Sequence, residues 1–145
     1  MGVTSLDPNN LEFPASATQL CDESWVLSGS TVLHNGEAIV DEYNCDLDLC
    51  NIGDRVGVQR TTNGELHIFM NGEDRGVAAT EIPSKVYAVI DLYGKCTEVT
   101  IVNADRSKSM IRSVLIIKII IQQFLYSTQH LSPFKQTSNT VTVNL

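Results

Sequence analysis

The sequence predicts an all-β protein, an antiparallel sandwich of two sheets within residues 1–105. Three observations support this. Short apolar or alternating segments recur along this part of the chain and are separated by Gly, Asn and Pro. None of them carries the i, i+3, i+4, i+7 apolar pattern of a substantial helix. At 145 residues, the chain has room for one domain with a real core. Short strands at this spacing are typical of a β-sandwich.

The first predicted strand is a short segment at 2–4, followed by an irregular connection that contains Pro8 and Pro14. Strands are then predicted at 25–27 and 31–34. Asn35-Gly36 provides a turn. The next strand, at 38–40, follows directly.

A hairpin is predicted at the centre of the chain, after a strand at 54–60. In 65–70 the side chains alternate, so Leu66, Ile68 and Met70 share one face. Asn71-Gly72 supplies the positive φ angles that a type I′ turn needs at both central positions. The return strand is expected at 75–78. A phosphate-binding role for Asn-Gly is not expected, because no helix follows it.

The last two predicted strands differ in their surroundings. Residues 85–93 are apolar on nearly both faces, which indicates a central strand with Asp91 as its polar exception. In 97–102, Val99 and Ile101 alternate with Glu98 and Thr100, so one face of this strand should be exposed to solvent.

Charge divides the chain near residue 105. All 17 acidic residues precede that point, and only five of the basic residues do, whereas the remainder contains bases and no acid. Because an acidic surface repels phosphate, we expect no nucleic-acid partner. The apolar run at 114–121 is short and interrupted by Lys118, so we do not expect a membrane span.

The cysteines and histidines point to no metal site. There is no CxxC pair, and the histidines have no metal-ligand spacing, so we expect no metal and no cofactor. We recognise no secretory signal peptide and no Asn-x-Ser/Thr acceptor, so we expect reduced thiols in a cytoplasmic protein. The acidic segment 46–54 could suggest a calcium loop, but its glycine offset is wrong and the twelfth position is Gly57. A strand edge and turn is the preferred interpretation.

Catalytic groups are also not evident. Ser28-Gly29-Ser30 is not a nucleophile elbow, and His34 or His67 could be chosen as the base only because the chain has few histidines. Cys96 follows a lysine that could lower its pKa, although a buried inert thiol is the simpler interpretation. We therefore expect a binding module that is not an enzyme. A lectin-like sugar-binding sandwich and a small hydrolase are the alternatives.

The candidate partner-binding residues are large or charged side chains expected at strand ends and loops, because loops on a rigid sandwich commonly carry recognition. They are Tyr43, Arg75, Tyr93 and Lys95. Trp25 joins them as the single tryptophan, with a core role as the equal alternative.

Five segments in order resemble the later part of a neuralized homology repeat. They are GVTSLDPNNLEFPASATQL, SWVLSGSTVLHNGEAI, DLDLCNIGDRVGVQR, ELHIFMNGEDRGVAA and VYAVIDLYGKCTEVTIV, within residues 2–103. The resemblance implies a SPRY-like, concanavalin-like β-sandwich that binds a protein or peptide. It also implies a scaffold or ubiquitin-ligase adaptor, with a ubiquitin ligase or a centrosomal protein as partner.

The chain departs from that family in two ways. The resemblance lacks the leading strands of a full repeat, so we expect an incomplete sandwich. Residues 106–145, the C-terminal tail, resemble nothing in the family. An alternative or mis-joined coding end is our preferred interpretation of the tail, with a helix or strand packed on the sandwich as the alternative.

Overall fold

The computed structural model describes residues 1–92, 96–102, 120–123 and 139–144. Within them the chain forms strands and two short 3-10 helices, Ala17–Gln19 and Leu47–Leu49. The strands are β1 (Gly2–Thr4), β2 (Ser24–Ser28), β3 (Thr31–His34), β4 (Glu37–Val40), β5 (Arg55–Arg60), β6 (Leu66–Met70), β7 (Glu73–Ala79), β8 (Tyr87–Leu92), β9 (Cys96–Val102), β10 (Ile120–Gln123) and β11 (Asn139–Asn144).

The strands form two sheets. The first has the order β10-β8-β1-β2-β3-β4 and the second has the order β7-β6-β5-β11-β9. The pairs formed among β1 to β8 are antiparallel. The all-β antiparallel class predicted from the sequence is therefore confirmed, and each strand predicted before residue 103 is present to within a few residues of its expected bounds.

Both Asn-Gly pairs turn hairpins, as the sequence predicts. Asn71 and Gly72 have φ angles of 55° and 86°, and they connect the paired residues that end β6 and begin β7. Asn35 and Gly36, with φ angles of 56° and 82°, connect β3 to β4 in the same way. Positive φ at both positions fits the right-handed twist of the flanking strands.

The main core lies between the two sheets. From the first sheet it takes Val3, Leu27 and Val32, each at most 2% exposed. From the second sheet it takes Leu66 and Ile68, each 1% exposed. Burial of these side chains joins the sheets face to face, since each large aliphatic side chain contributes roughly 1.5–3 kcal/mol when removed from water.

β8 is the central strand that its apolar sequence indicates. Ala88 and Val89 are fully buried, and β8 pairs with β1 on one side and β10 on the other. The carboxylate of Asp91 accepts hydrogen bonds from Ser16 Oγ at 3.0 Å and from the Ala17 amide at 2.8 Å. Asp91, the polar exception on this strand, therefore holds the start of the first 3-10 helix.

The tail adds one strand to each sheet. β10 runs parallel to β8, and β11 runs parallel between β5 and β9. For 120–123 and 139–144, strand pairing on the sandwich, the alternative that we did not prefer, is what the structure shows. The apolar run at 114–119 lies outside the described residues. In the described part of the chain, no helix is long and apolar enough to cross a membrane.

Candidate functional site

A groove opens between the outer strands of the two sheets. Among the described strands, β4 ends the first sheet and β7 ends the second. Between them lies a cavity of about 640 Å³ that opens to solvent. We call it the edge groove, and its lining includes Glu23, Trp25, His34, Ile39, Val77 and Glu81.

Two stacked rings line the inner part of the edge groove. Trp25 on β2 and His34 on β3 are directly paired across the sheet. Their ring centroids lie 4.8 Å apart and their planes differ by 8°. Trp25 is buried and also belongs to the main core, whereas His34 is only half-buried. The rings therefore connect the groove rigidly to the interior.

The walls of the groove expose apolar side chains. Ile39 on β4 is 47% exposed and Val77 on β7 is 45% exposed. Each belongs to an outer strand, so the two face solvent from opposite sides of one opening. Exposed apolar side chains that gather in a concave surface are typical of interaction sites.

Both outer strands bulge where they border the groove. On β4, the register passes from Val40 to Ala38 opposite consecutive residues of β3, so Ile39 is the extra residue. On β7 it passes from Ala79 to Val77 opposite consecutive residues of β6, so Ala78 is extra. Bulges disrupt the regular row of amides and carbonyls that an added strand requires. The groove therefore offers side-chain contacts more readily than strand pairing.

The rim of the groove is acidic and its loops are well anchored. Glu23 and Glu81 line it, and among the residues that the structure describes no lysine or arginine does so. Both glutamates have left-handed backbones, with φ angles of 44° and 61°, a conformation that is uncommon for non-glycine residues. The Glu23 carbonyl accepts a hydrogen bond from the Ser5 amide at 2.9 Å. Arg60 Nε donates to the carbonyl oxygens of Ile82, at 2.9 Å, and of the following Pro83.

The family comparison agrees with this architecture. The family model for Neuralized matches residues 1–103. The chain belongs to the Neuralized family. Neuralized domains are protein-interaction domains, so the general protein-binding role implied by the resemblance is supported. The boundaries of the match agree with the segment, 2–103, that resembles a neuralized homology repeat.

Of the predicted binding residues that the structure describes, Trp25 alone lines the edge groove of this Neuralized domain. Tyr43 follows β4 in a loop, as predicted, but it is buried, and its hydroxyl donates to the Gly76 carbonyl at 2.6 Å. Burial also raises the pKa of this hydroxyl. Tyr43 therefore anchors its loop to β7, directly beside the groove-lining part of that strand.

Arg75 lies within β7 and not in a loop. Its guanidinium lies 3.1 Å from the Glu73 carboxylate, and its buried Nε has no hydrogen-bond partner among the described residues. It does not line the edge groove. Tyr93 and Lys95 lie outside the described residues.

Sequence reasoning missed most of the groove. His34, Ile39 and Val77 are single members of ordinary alternating strands, and no local motif distinguishes them. Glu23, just before β2, and Glu81, just after β7, are separated by more than fifty residues and line the same groove only once the two sheets have packed.

The hairpin tip of the Neuralized domain is occupied by internal contacts. Asn71 Oδ1 accepts from the Arg55 amide at 2.8 Å, and its Nδ2 donates to Asp54 Oδ1 at 3.0 Å. Hydrogen bonds from the Asn51 amide and from Asn71 hold the pKa of Asp54 below its usual value. The last carboxylate of segment 46–54 is thus used within the protein. In the described ranges, no group of His, Cys, Asp and Glu is arranged to hold a metal ion.

A second cavity, of about 440 Å³, lies among the first sheet, the second 3-10 helix and β9, and contains two thiols. Burial raises the pKa of Cys50 to about 11 and also raises that of Cys96. Neither of the described histidines, His34 and His67, lines this second cavity. His67, on β6, bonds Asp74 through Nδ1 at 2.9 Å, and its Nε2 has no hydrogen-bond partner in the part of the chain that the structure describes. Within the described residues, neither His34 nor His67 is hydrogen-bonded to a hydroxyl or thiol.

Proposed function

We propose that this Neuralized domain binds a protein or peptide partner in the edge groove and performs no catalysis itself. The observation that supports this most directly is the exposure of Ile39 and Val77, 47% and 45%, on two bulged outer strands facing one opening. Apolar side chains at the centre of a concave surface provide the desolvated contacts from which interfaces gain most of their affinity. The stacked rings beneath them limit rearrangement on binding.

We propose further that the chain acts as a scaffold or ubiquitin-ligase adaptor in the cytoplasm. Its motifs most resemble those of a repeat of neuralized-like protein 4, which implies a ubiquitin ligase or a centrosomal protein as partner. Fold does not specify a partner, so this part of the proposal depends on the family resemblance alone. Proximity labelling in cells, with the wild-type chain and a groove variant, tests it. A ligase or centrosomal protein should be labelled only by the wild type.

The binding site itself is tested with a displayed library of random peptides. Peptides selected on the wild-type chain are measured against Ile39→Asp and Val77→Asp. Both side chains are already partly exposed, so the fold should tolerate the change, whereas a carboxylate in the apolar wall should weaken binding at least ten-fold.

Leu49→Asp is the matched control. Leu49 is 73% exposed on the second 3-10 helix and does not line the edge groove. It should leave peptide affinity unchanged. Equal affinity of all three variants and the wild type would place the binding site elsewhere.

A further inference from the structure

We propose that the edge groove receives an arginine side chain of the partner, stacked on His34 and paired with Glu81. This inference depends on the groove being the partner-binding site. It adds the chemistry of the side chain that is recognised.

The charge of the groove selects a cation. Two carboxylates, Glu23 and Glu81, line it, and no lysine or arginine of the described ranges does. An acidic partner residue would be repelled there, and a neutral one would leave the carboxylates uncompensated. Complementary charge across an interface provides specificity and faster association.

Of the two carboxylates, Glu81 is the one available. The Glu23 side chain already accepts a hydrogen bond from the Ser5 hydroxyl. Glu81 is exposed and forms no hydrogen bond or ion pair through its side chain within the described residues. Its backbone is held in a left-handed conformation, with φ of 61°, next to the residues that Arg60 binds. The carboxylate is therefore attached to a fixed part of the rim.

The ring pair favours arginine over lysine. Trp25 covers one face of the His34 imidazole at 4.8 Å, and the half-buried imidazole lines the groove. A guanidinium is planar and weakly hydrated, so it stacks on a flat ring and still presents N–H groups to a carboxylate. An ammonium has no plane to stack. The exposed Ile39 and Val77 can cover the methylene groups of the same side chain.

The peptide backbone should contribute little to this recognition. Ile39 and Ala78 are bulge residues in the two outer strands, so neither edge presents a regular ladder beside the groove. Affinity should therefore depend on which side chain enters the groove and less on an extended backbone conformation.

The test uses three short probes added to the full chain and followed by NMR titration. They are acetyl-Val-Arg-Val-amide and the same peptide with citrulline or lysine in the centre. Citrulline keeps the shape of arginine and lacks its charge. We expect the arginine probe to shift the Trp25 indole resonance and to bind at least five-fold more tightly than the citrulline probe. It should bind at least two-fold more tightly than the lysine probe.

Two variants separate the contributions. Glu81→Gln should abolish the preference for arginine over citrulline, whereas Glu98→Gln should preserve it. Glu98 is an exposed glutamate on β9, at the opposite end of the second sheet from β7. His34→Ala should reduce the preference for arginine over lysine, because it removes the stacking surface.

The outcomes distinguish this inference from the proposed function. Equal binding of arginine and citrulline probes, unaffected by Glu81→Gln, would overturn the arginine site. Library-selected peptides that remain sensitive to Ile39→Asp would then still support the groove as the binding site. Loss of that sensitivity would remove both.

Discussion

Replacing Gly72 with valine tests the central hairpin on which β6 and β7 depend. Gly72 has a φ angle of 86°, in the left-handed region, and follows Asn71 at 55°. A Cβ atom added at Gly72 would meet no atom within 4 Å. The cost of the substitution therefore arises from the backbone conformation and not from a steric clash with neighbouring residues.

The expected magnitude combines two opposing effects. A left-handed conformation costs an L-amino acid roughly 1–2 kcal/mol, and a β-branched side chain belongs at the upper end. Losing a glycine also stiffens the unfolded chain, which offsets roughly 0.4–1 kcal/mol. The net loss of unfolding free energy should be about 1 kcal/mol or more. For a chain of this size it corresponds to a fall in Tm of about 2–4 °C.

Urea denaturation followed by circular dichroism measures the difference, with Glu73→Val as the control. Glu73 is the next residue, is exposed and begins β7 without a positive φ angle. The variant loses the ion pair with Arg75, but an exposed pair contributes little to stability, and valine is favoured in strands, so it should differ little from wild type. If Gly72→Val and Glu73→Val unfold at the same urea concentration as wild type, the turn does not require a left-handed backbone at Gly72, and the expected loss of stability is wrong.

Three further predictions follow from the described contacts. Asn71→Asp should destabilise the protein more at pH 7 than at pH 3, because it places a second carboxylate against Asp54. In the wild type, the lowered folded-state pKa of Asp54 means that this residue stabilises the fold above about pH 4 and that the stabilisation is lost as the pH falls through the lowered pKa. Thermal unfolding of both proteins across this pH range measures the two effects. Mass-spectrometric maleimide labelling at pH 8 should modify exposed Cys21 before Cys50, whose pKa burial raises to about 11; equal rates would contradict the described burial. Thr142→Pro should lower Tm by several degrees, because β11 lies between β5 and β9 and proline cannot donate to a ladder; an unchanged Tm would exclude β11 from the sheet.

The strands and turns of this protein were readable because their causes are local. Alternation in Leu66–Met70 and left-handed angles at Asn71-Gly72 depend on neighbouring residues only, so the hairpin follows from a few letters. The buried character of β8 is equally visible in its continuous apolar run. Family membership was also readable, because the motifs retain their order along the chain.

The edge groove was decided by tertiary structure. Ile39 and Val77 come together only after the two sheets pack, and their exposure depends on bulges whose position arises from pairing register. Tyr43 is a large side chain in a loop, as a binding residue would be, yet the loop folds back and buries it against Gly76. The sequence alone likewise did not favour the pairing of β10 with β8 or of β11 with β5 and β9. Such contacts join segments tens of residues apart, and their free energy depends on which surfaces remain unpaired when the rest of the chain has folded.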